Sequence, residues 1–148
     1  MTAATFAAVF AALFVAHSVG DHWVQTHAQA CAKGAPGMAG RLVCLWHVVT
    51  LTLTKVAALA AVVVVIGLSL HPLAVAAGLA VDAASHYWAD RRRPLAALAE
   101  AIGKGGFYRM GAPRPGRDDN PCLGTGAYAL DQSFHHLFLF IAALIITA

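Results

Sequence analysis

His17 and Asp21, His86 and Asp90, and Asp131 and His135 stand four residues apart on three separate apolar segments, and a fourth apolar segment carries His47. On a helix, residues i and i+4 share one face about one turn apart, so each pair presents an imidazole beside a carboxylate. Ionisable groups inside hydrophobic segments are costly and are kept where they face partners, water or ions. Neutral imidazole nitrogen and carboxylate oxygen suit zinc foremost, with manganese or iron as alternatives. The lack of paired thiolates argues against a cysteine-type zinc site or an iron–sulfur cluster. Seven such groups exceed what one tetrahedral ion needs. They predict two divalent ions, or one ion with surplus carboxylates orienting its histidines. Bundles that hold two metals use carboxylate and histidine one turn apart in a comparable way. Gln25 continues the His17/Asp21 face, and Asp82 lies one turn before His86, so both are candidates to steady the ligands. The alternative is a metal-free polar network or proton relay, with interhelical contacts of about 1 kcal/mol each.

These groups need elements to carry them, and composition says which. Of 148 residues, 59% are hydrophobic and 11% charged, with a mean hydropathy of +0.68. A water-soluble domain has about a quarter of its residues charged. The apolar residues also come in long runs rather than narrow stripes, which argues for a bilayer. We expect an all-α polytopic membrane protein, one domain over residues 1–148, with helices near 3–27, 41–69, 73–90 and 127–148. A span needs about 20 apolar residues, so the third is short and the second long enough to tilt or project. The run Thr5 to Ala16 has no preceding Lys or Arg and no persuasive cleavage site, so it reads as a retained span rather than a leader. Pro94 should stop the third helix after Arg93, and residues 95–102 could form a short interfacial helix. The stretch 103–126 is rich in Gly, Pro and charge and reads as a long loop, of the kind that is usually functional or disordered.

Basic residues set the orientation. Lys33 and Arg41 lie between the first two helices, and Arg91, Arg92, Arg93, Lys104, Arg109, Arg114 and Arg117 between the last two. Both termini and the connection Ser69 to Pro72 carry none. The positive-inside rule then puts both basic loops in the cytoplasm and both termini outside, in a bacterial inner membrane. All seven chemical groups fall toward the cytoplasmic end, at similar depth on four independent segments. One shared site follows.

Other residues carry weaker signals. His22 turns away from the His17 face beside Trp23, which suggests an interfacial belt, and His27 and His71 fall near helix ends. Of the adjacent His135 and His136, only one should face the site. Lys55 is expected to snorkel to the cytoplasmic interface; centred in the bilayer, it would instead be a functional candidate. Arg91, Arg92, Arg109, Arg114 and Arg117 are candidates to hold an anionic substrate, although anionic headgroups alone attract such residues by about 1 kcal/mol each. Gly124-Thr125-Gly126 opens the last helix where free N–H groups favour an anion, yet no P-loop is present. Asp118-Asp119-Asn120 could reach a metal or cap a turn, the latter being commoner. Cys31, Cys44 and Cys122 show no framework and read as free thiols. Small residues dominate the third helix and permit close approach by another helix or a second protomer, so a homo-oligomer is open. No specific nucleic-acid partner is expected.

The strings His17-x-x-x-Asp21-x-x-x-Gln25, Ser85-His86-Tyr87-x-Ala89-Asp90-Arg91-Arg92 and Asp131-Gln132-x-x-His135, the isolated His47, and the segment 111–120 resemble a family of small integral-membrane proteins of bacteria and phages, catalogued as domain of unknown function 3307 and closest in character to its actinobacterial members. The resemblance covers nearly the whole chain. It implies a membrane fold and these His/Asp positions, and it brings no activity. A fainter similarity of style links the chain to bacterial membrane-bound metal-dependent hydrolases.

Two functions follow from the residues. In the first, one or two divalent ions activate a water and polarise a phosphoryl or acyl group, Asp21 or Asp131 acts as general base, and loop arginines position an anionic lipid or nucleotide-like substrate. In the second, the cluster serves a sensor, a metal or proton transporter, or a helix-packing subunit. Conduction needs polar groups across the whole membrane, whereas the outer halves of the helices are almost purely aliphatic and Phe. A third reading is b-type haem on two histidines, since C-x-x-C-H is lacking; it leaves the matching aspartates unexplained.

Overall fold

The computed structural model describes residues 2–114, 116 and 124–148. Among them the chain is all-helical: α1 Ala3–Val19, α2 His27–Ala32, α3 Gly37–Ile66, α4 Pro72–Asp90, α5 Arg93–Ala101, α6 Gly105–Tyr108 and α7 Gly126–Thr147. The stretches Ala3–Val24, Gly37–Ile66 and Gly126–Thr147 are long and apolar enough to cross a membrane. α4 is not among them, which corrects the expectation of four such spans. Its polar residues Asp82, Ser85, His86 and Asp90 fall within 19 residues and dilute an otherwise Ala-rich run.

Local chemistry sets most boundaries. Thr2 and Thr125 cap α1 and α7 by accepting from the backbone N–H groups of Thr5 and Tyr128. Thr26 and Gln29 form a reciprocal capping box on α2. Pro72 starts α4 at a position where a missing N–H costs nothing. Pro94 occupies the same kind of position in α5, so the break from α4 falls one residue before Arg93, at Arg92 with φ +60°. α1 ends sooner than expected. It passes into one π turn, Gly20–Val24, closed by Gln25 N–H donating to the Gly20 carbonyl at 2.9 Å. The expected loop 103–126 also contains the short helix α6.

α4 packs most extensively on α7, while α1 lies against α3 and α7, and α3 against α4. Helices in lipid gain little from apolar burial and depend on close van der Waals approach. Gly78 supplies it between α4 and α7: a Cβ there would meet Ile146 Cγ1 at 2.6 Å and the Ala142 carbonyl oxygen at 2.8 Å. Around it Val9, Leu13, Leu59, Leu79, Leu139, Ala142, Ala143 and Ile146 form one buried apolar cluster. Large apolar side chains such as Val64, Val65 and Leu73 point outward, an arrangement suited to acyl chains rather than water. Toward the basic end of the bundle the interior changes character, and the buried groups become His, Asp and Lys.

Candidate metal centre

Each helix delivers its groups by its own geometry. On α1 the π turn places Asp21 beneath His17 and beside α3. Gly20 makes that approach possible, since a Cβ there would come within 2.1 Å of Leu51 Cδ1. π turns inserted in α-helices frequently mark functional sites. Asp21 Oδ1 then lies 3.2 Å from His47 Nε2 and 3.7 Å from His86 Nε2, and Asp21 Oδ2 lies 3.5 Å from His17 Nε2. On α4, Asp90 Oδ2 sits 3.2 Å from His86 Nε2 and 3.3 Å from His47 Nε2. On α7, His135 Nε2 lies 3.5 Å from Asp131 Oδ2 and 3.8 Å from Asp90 Oδ1. All seven residues therefore share one volume at the basic end of the bundle.

The Nε2 atoms of His47 and His86 face each other at 3.2 Å. At most one of two such nitrogens carries the shared proton, so at least one lone pair points inward. Asp21 Oδ1, Asp90 Oδ2 and both ring nitrogens of His17 and His135 are buried without a hydrogen bond. These atoms approach their neighbours across a common space rather than along N–H···O lines. A finished hydrogen-bond network leaves few buried polar atoms unpaired. A divalent cation would take one nitrogen from each ring and one oxygen from each carboxylate within its reach, leaving the other ring nitrogen unpaired. Three groups have ligand atoms within 4.8 Å of one another: Asp21, His86 and His135; His47, His86 and Asp90; and Asp90, Asp131 and His135. The donor set, nitrogen and carboxylate oxygen without thiolate, fits zinc, manganese or iron. It does not fit haem, because the Asp21 and Asp90 carboxylates crowd the space between the rings.

In one respect the centre departs from common metal sites. The Nδ1 atoms of all four histidines are buried and unpaired, where a metal-binding imidazole usually donates its other N–H to a carboxylate or carbonyl. Ring contacts hold the orientation instead. His86 and His135 stack at 3.9 Å, and His17 packs against both at 5.4 and 5.2 Å.

The surrounding residues divide. Gln25 follows the π turn with its amide nitrogen buried and unpaired. Asp82, expected to steady His86, instead forms an ion pair with Lys55 at 2.5 Å, both side chains buried. This corrects the snorkelling expectation for Lys55. α3 starts at Gly37, earlier than expected, and carries Lys55 past its own midpoint. There the side chain faces α4 instead of an interface. Arg91 and Arg92, expected to receive an anion, donate to the carbonyls of Lys33 and Ala35 and of Ala30. Carbonyls at a helix C-terminus lack intrahelical donors, and cations there are favoured. Arg109 pairs with Glu100 on the surface, and Arg114 is exposed. Arg117, the Asp118-Asp119-Asn120 segment and Cys122 lie outside the described residues.

Other residues lie around the site. Lys33 reaches Asp90 Oδ1 at 2.8 Å from the turn after α2; a lysine in a short basic loop carries no periodic signal of that contact. Tyr128 approaches His22 Nε2 at 3.3 Å. Tyr108, outside the apolar spans, has its phenol pushed above the ordinary range by burial and by the nearby Asp131 carboxylate. Asp131 has the most exposed of the three site carboxylates, 25% against 8% for Asp21 and 1% for Asp90, and so marks the mouth.

No curated protein and no solved structure matches the chain. A family match spans residues 9–148 and carries the description "Protein of unknown function (DUF3307)". With that span covering nearly all of its length, the chain belongs to the DUF3307 family.

Proposed function

We propose that this chain is a multi-pass protein of the bacterial inner membrane that binds one or two divalent metal ions, zinc foremost, at its cytoplasmic end, and that it is a metal-dependent hydrolase of an anionic phosphate- or acyl-bearing substrate. The observation that carries the reading is the convergence of four imidazoles and three carboxylates with buried, unpaired nitrogen and oxygen atoms. α4 completes a four-helix bundle in this reading, its polar face turned inward against α3 and α7 so that α1, α3 and α7 shield it from lipid. The positive-inside rule supports a cytoplasmic site, because Lys33, Arg41, Arg91, Arg92 and Arg93 share its end of the bundle.

A divalent ion there would supply Lewis acidity toward a phosphoryl or acyl oxygen. His47, His86 and Asp90, whose ligand atoms lie within 4.8 Å of one another, would hold it, with His17 and His135 packed beside them. Asp131, at the mouth, is placed to take a proton from an incoming water, and Asp21 is the deeper alternative. The basic loop after α4 would draw an anionic lipid or a phosphate-bearing substrate toward the mouth.

One observation favours a second reading. Every site histidine and Asp90 are almost fully buried, which suits a metal sensor or a structural ion as well as catalysis. The apolar cluster beyond Lys55 and Asp82 argues against conduction. Liposome-reconstituted protein, zinc-loaded or chelator-stripped, separates the two when assayed on phosphomonoesters, phosphodiesters and acyl esters. Hydrolysis is expected in the loaded protein alone and lost in Asp131→Asn. Bound zinc with no turnover on any class would leave the sensor reading.

A further inference from the structure

Asp90 belongs to two of the candidate ion-holding groups, and its two oxygens are not equivalent. Oδ2 faces His47 and His86, while Oδ1 lies toward His135 and already has a cation, the Lys33 ammonium at 2.8 Å. Lys33 is not a loosely solvated surface lysine. Its side chain is 12% exposed, and its turn is fastened on several sides. The Lys33 N–H donates to the Gln29 carbonyl at 2.9 Å. Arg91 donates to the carbonyls of Lys33 and Ala35, and Arg92 to that of Ala30. Gly34 sits so close to Arg92 that a Cβ would meet its Cδ at 2.7 Å. Because Arg91 follows Asp90 directly, the segment that presents the carboxylate also fixes the loop that presents the ammonium.

We infer that Lys33 is a built-in counter-ion that reserves one oxygen of Asp90 and so limits the cluster to one tightly held divalent ion, bound by His47, His86 and Asp90. Of the other two groups, Asp21, His86 and His135 competes with the first for His86, while Asp90, Asp131 and His135 must share Oδ1 with a fixed positive charge, and like charges at such range repel strongly in a poorly hydrated interior. A second ion enters only when Lys33 withdraws. Lys33 thereby sets the ion count. This inference rests on the metal reading above.

The test is zinc titration of detergent-purified wild type, Lys33→Met and Lys33→Arg, with bound zinc counted by mass spectrometry after desalting and affinity measured by calorimetry. Wild type and Lys33→Arg are expected to retain one zinc per chain. Lys33→Met keeps the stem and should retain two, the second bound roughly tenfold or more tighter than in wild type. Asp131→Asn added to Lys33→Met should remove the second ion alone. A single ion in Lys33→Met, or two equally tight ions in wild type, would overturn the role of Lys33 while leaving the metal reading intact. Loss of all zinc in Lys33→Met would also overturn it, by making the lysine a support for the first ion. Wild type that binds no zinc would instead remove the metal reading on which this one stands.

Discussion

The two ends of the helical bundle are buried alike and built oppositely. At the apolar end Val9, Leu13, Leu139 and Ala142 are fully enclosed and their neighbours are other hydrocarbon groups and Phe rings. At the basic end His17, His47, His86 and His135 are as deeply enclosed, yet they leave ring nitrogens without partners. The apolar end is satisfied by the chain alone and holds the helices together. The basic end keeps polar atoms in a place where each costs stability, which is what a site retained for binding looks like. Lys55 and Asp82 lie between the two, a buried ion pair that is complete in itself.

This contrast can be broken or sharpened by substitution, with stability read from reversible unfolding in mixed micelles. The largest loss is expected at the boundary. Lys55→Met leaves the Asp82 carboxylate buried without its cation and should cost about 3–5 kcal/mol, most of it recovered in Lys55→Met with Asp82→Leu. A single variant as stable as wild type would mean that the pair is hydrated. At the apolar end, Leu139→Ala should cost about 2–5 kcal/mol through lost contacts and a cavity, with metal binding unchanged. Removing the Thr125 cap by Thr125→Ala should cost about 1 kcal/mol and raise amide exchange in the first turn of α7. The smallest stability effect is expected at the basic end. His86→Ala should shift the metal-free protein by less than about 1 kcal/mol, because losing a ring whose Nδ1 is buried and unpaired offsets its lost packing, while abolishing metal binding. A loss comparable to that of Leu139→Ala would erase the distinction between the ends.

The sequence showed the site better than it showed the site's supports. His17/Asp21, His86/Asp90 and Asp131/His135 are visible because the helical repeat puts i and i+4 on one face, and an apolar background makes each polar residue conspicuous. The same groups make the spans hard to count from sequence: those that make α4 conspicuous also lower its hydropathy. Lys33, the Lys55–Asp82 pair and the grip of Arg91 and Arg92 on the α2–α3 turn are tertiary contacts between residues 27 to 62 apart in the chain. Periodicity is silent about such pairs. Lys55 did give one local signal: a lysine well inside a 30-residue apolar helix needs a partner, and Asp82 was the remaining carboxylate on a facing segment. The π turn at Gly20 leaves no trace in the sequence because His17 and Asp21 look like an ordinary helical pair; its signal is spatial, the approach of Leu51.

The central claim is that the cluster of four histidines and three aspartates contains a metal-binding site. Mass spectrometry of the metal content of detergent-purified wild type beside a His86→Ala, Asp131→Ala double variant tests it most directly. The account predicts stoichiometric zinc, manganese or iron in wild type and its loss in the variant, with both proteins folded. Wild type that stays metal-free after reconstitution, or a variant that keeps its full complement, would contradict it and leave a polar network between helices.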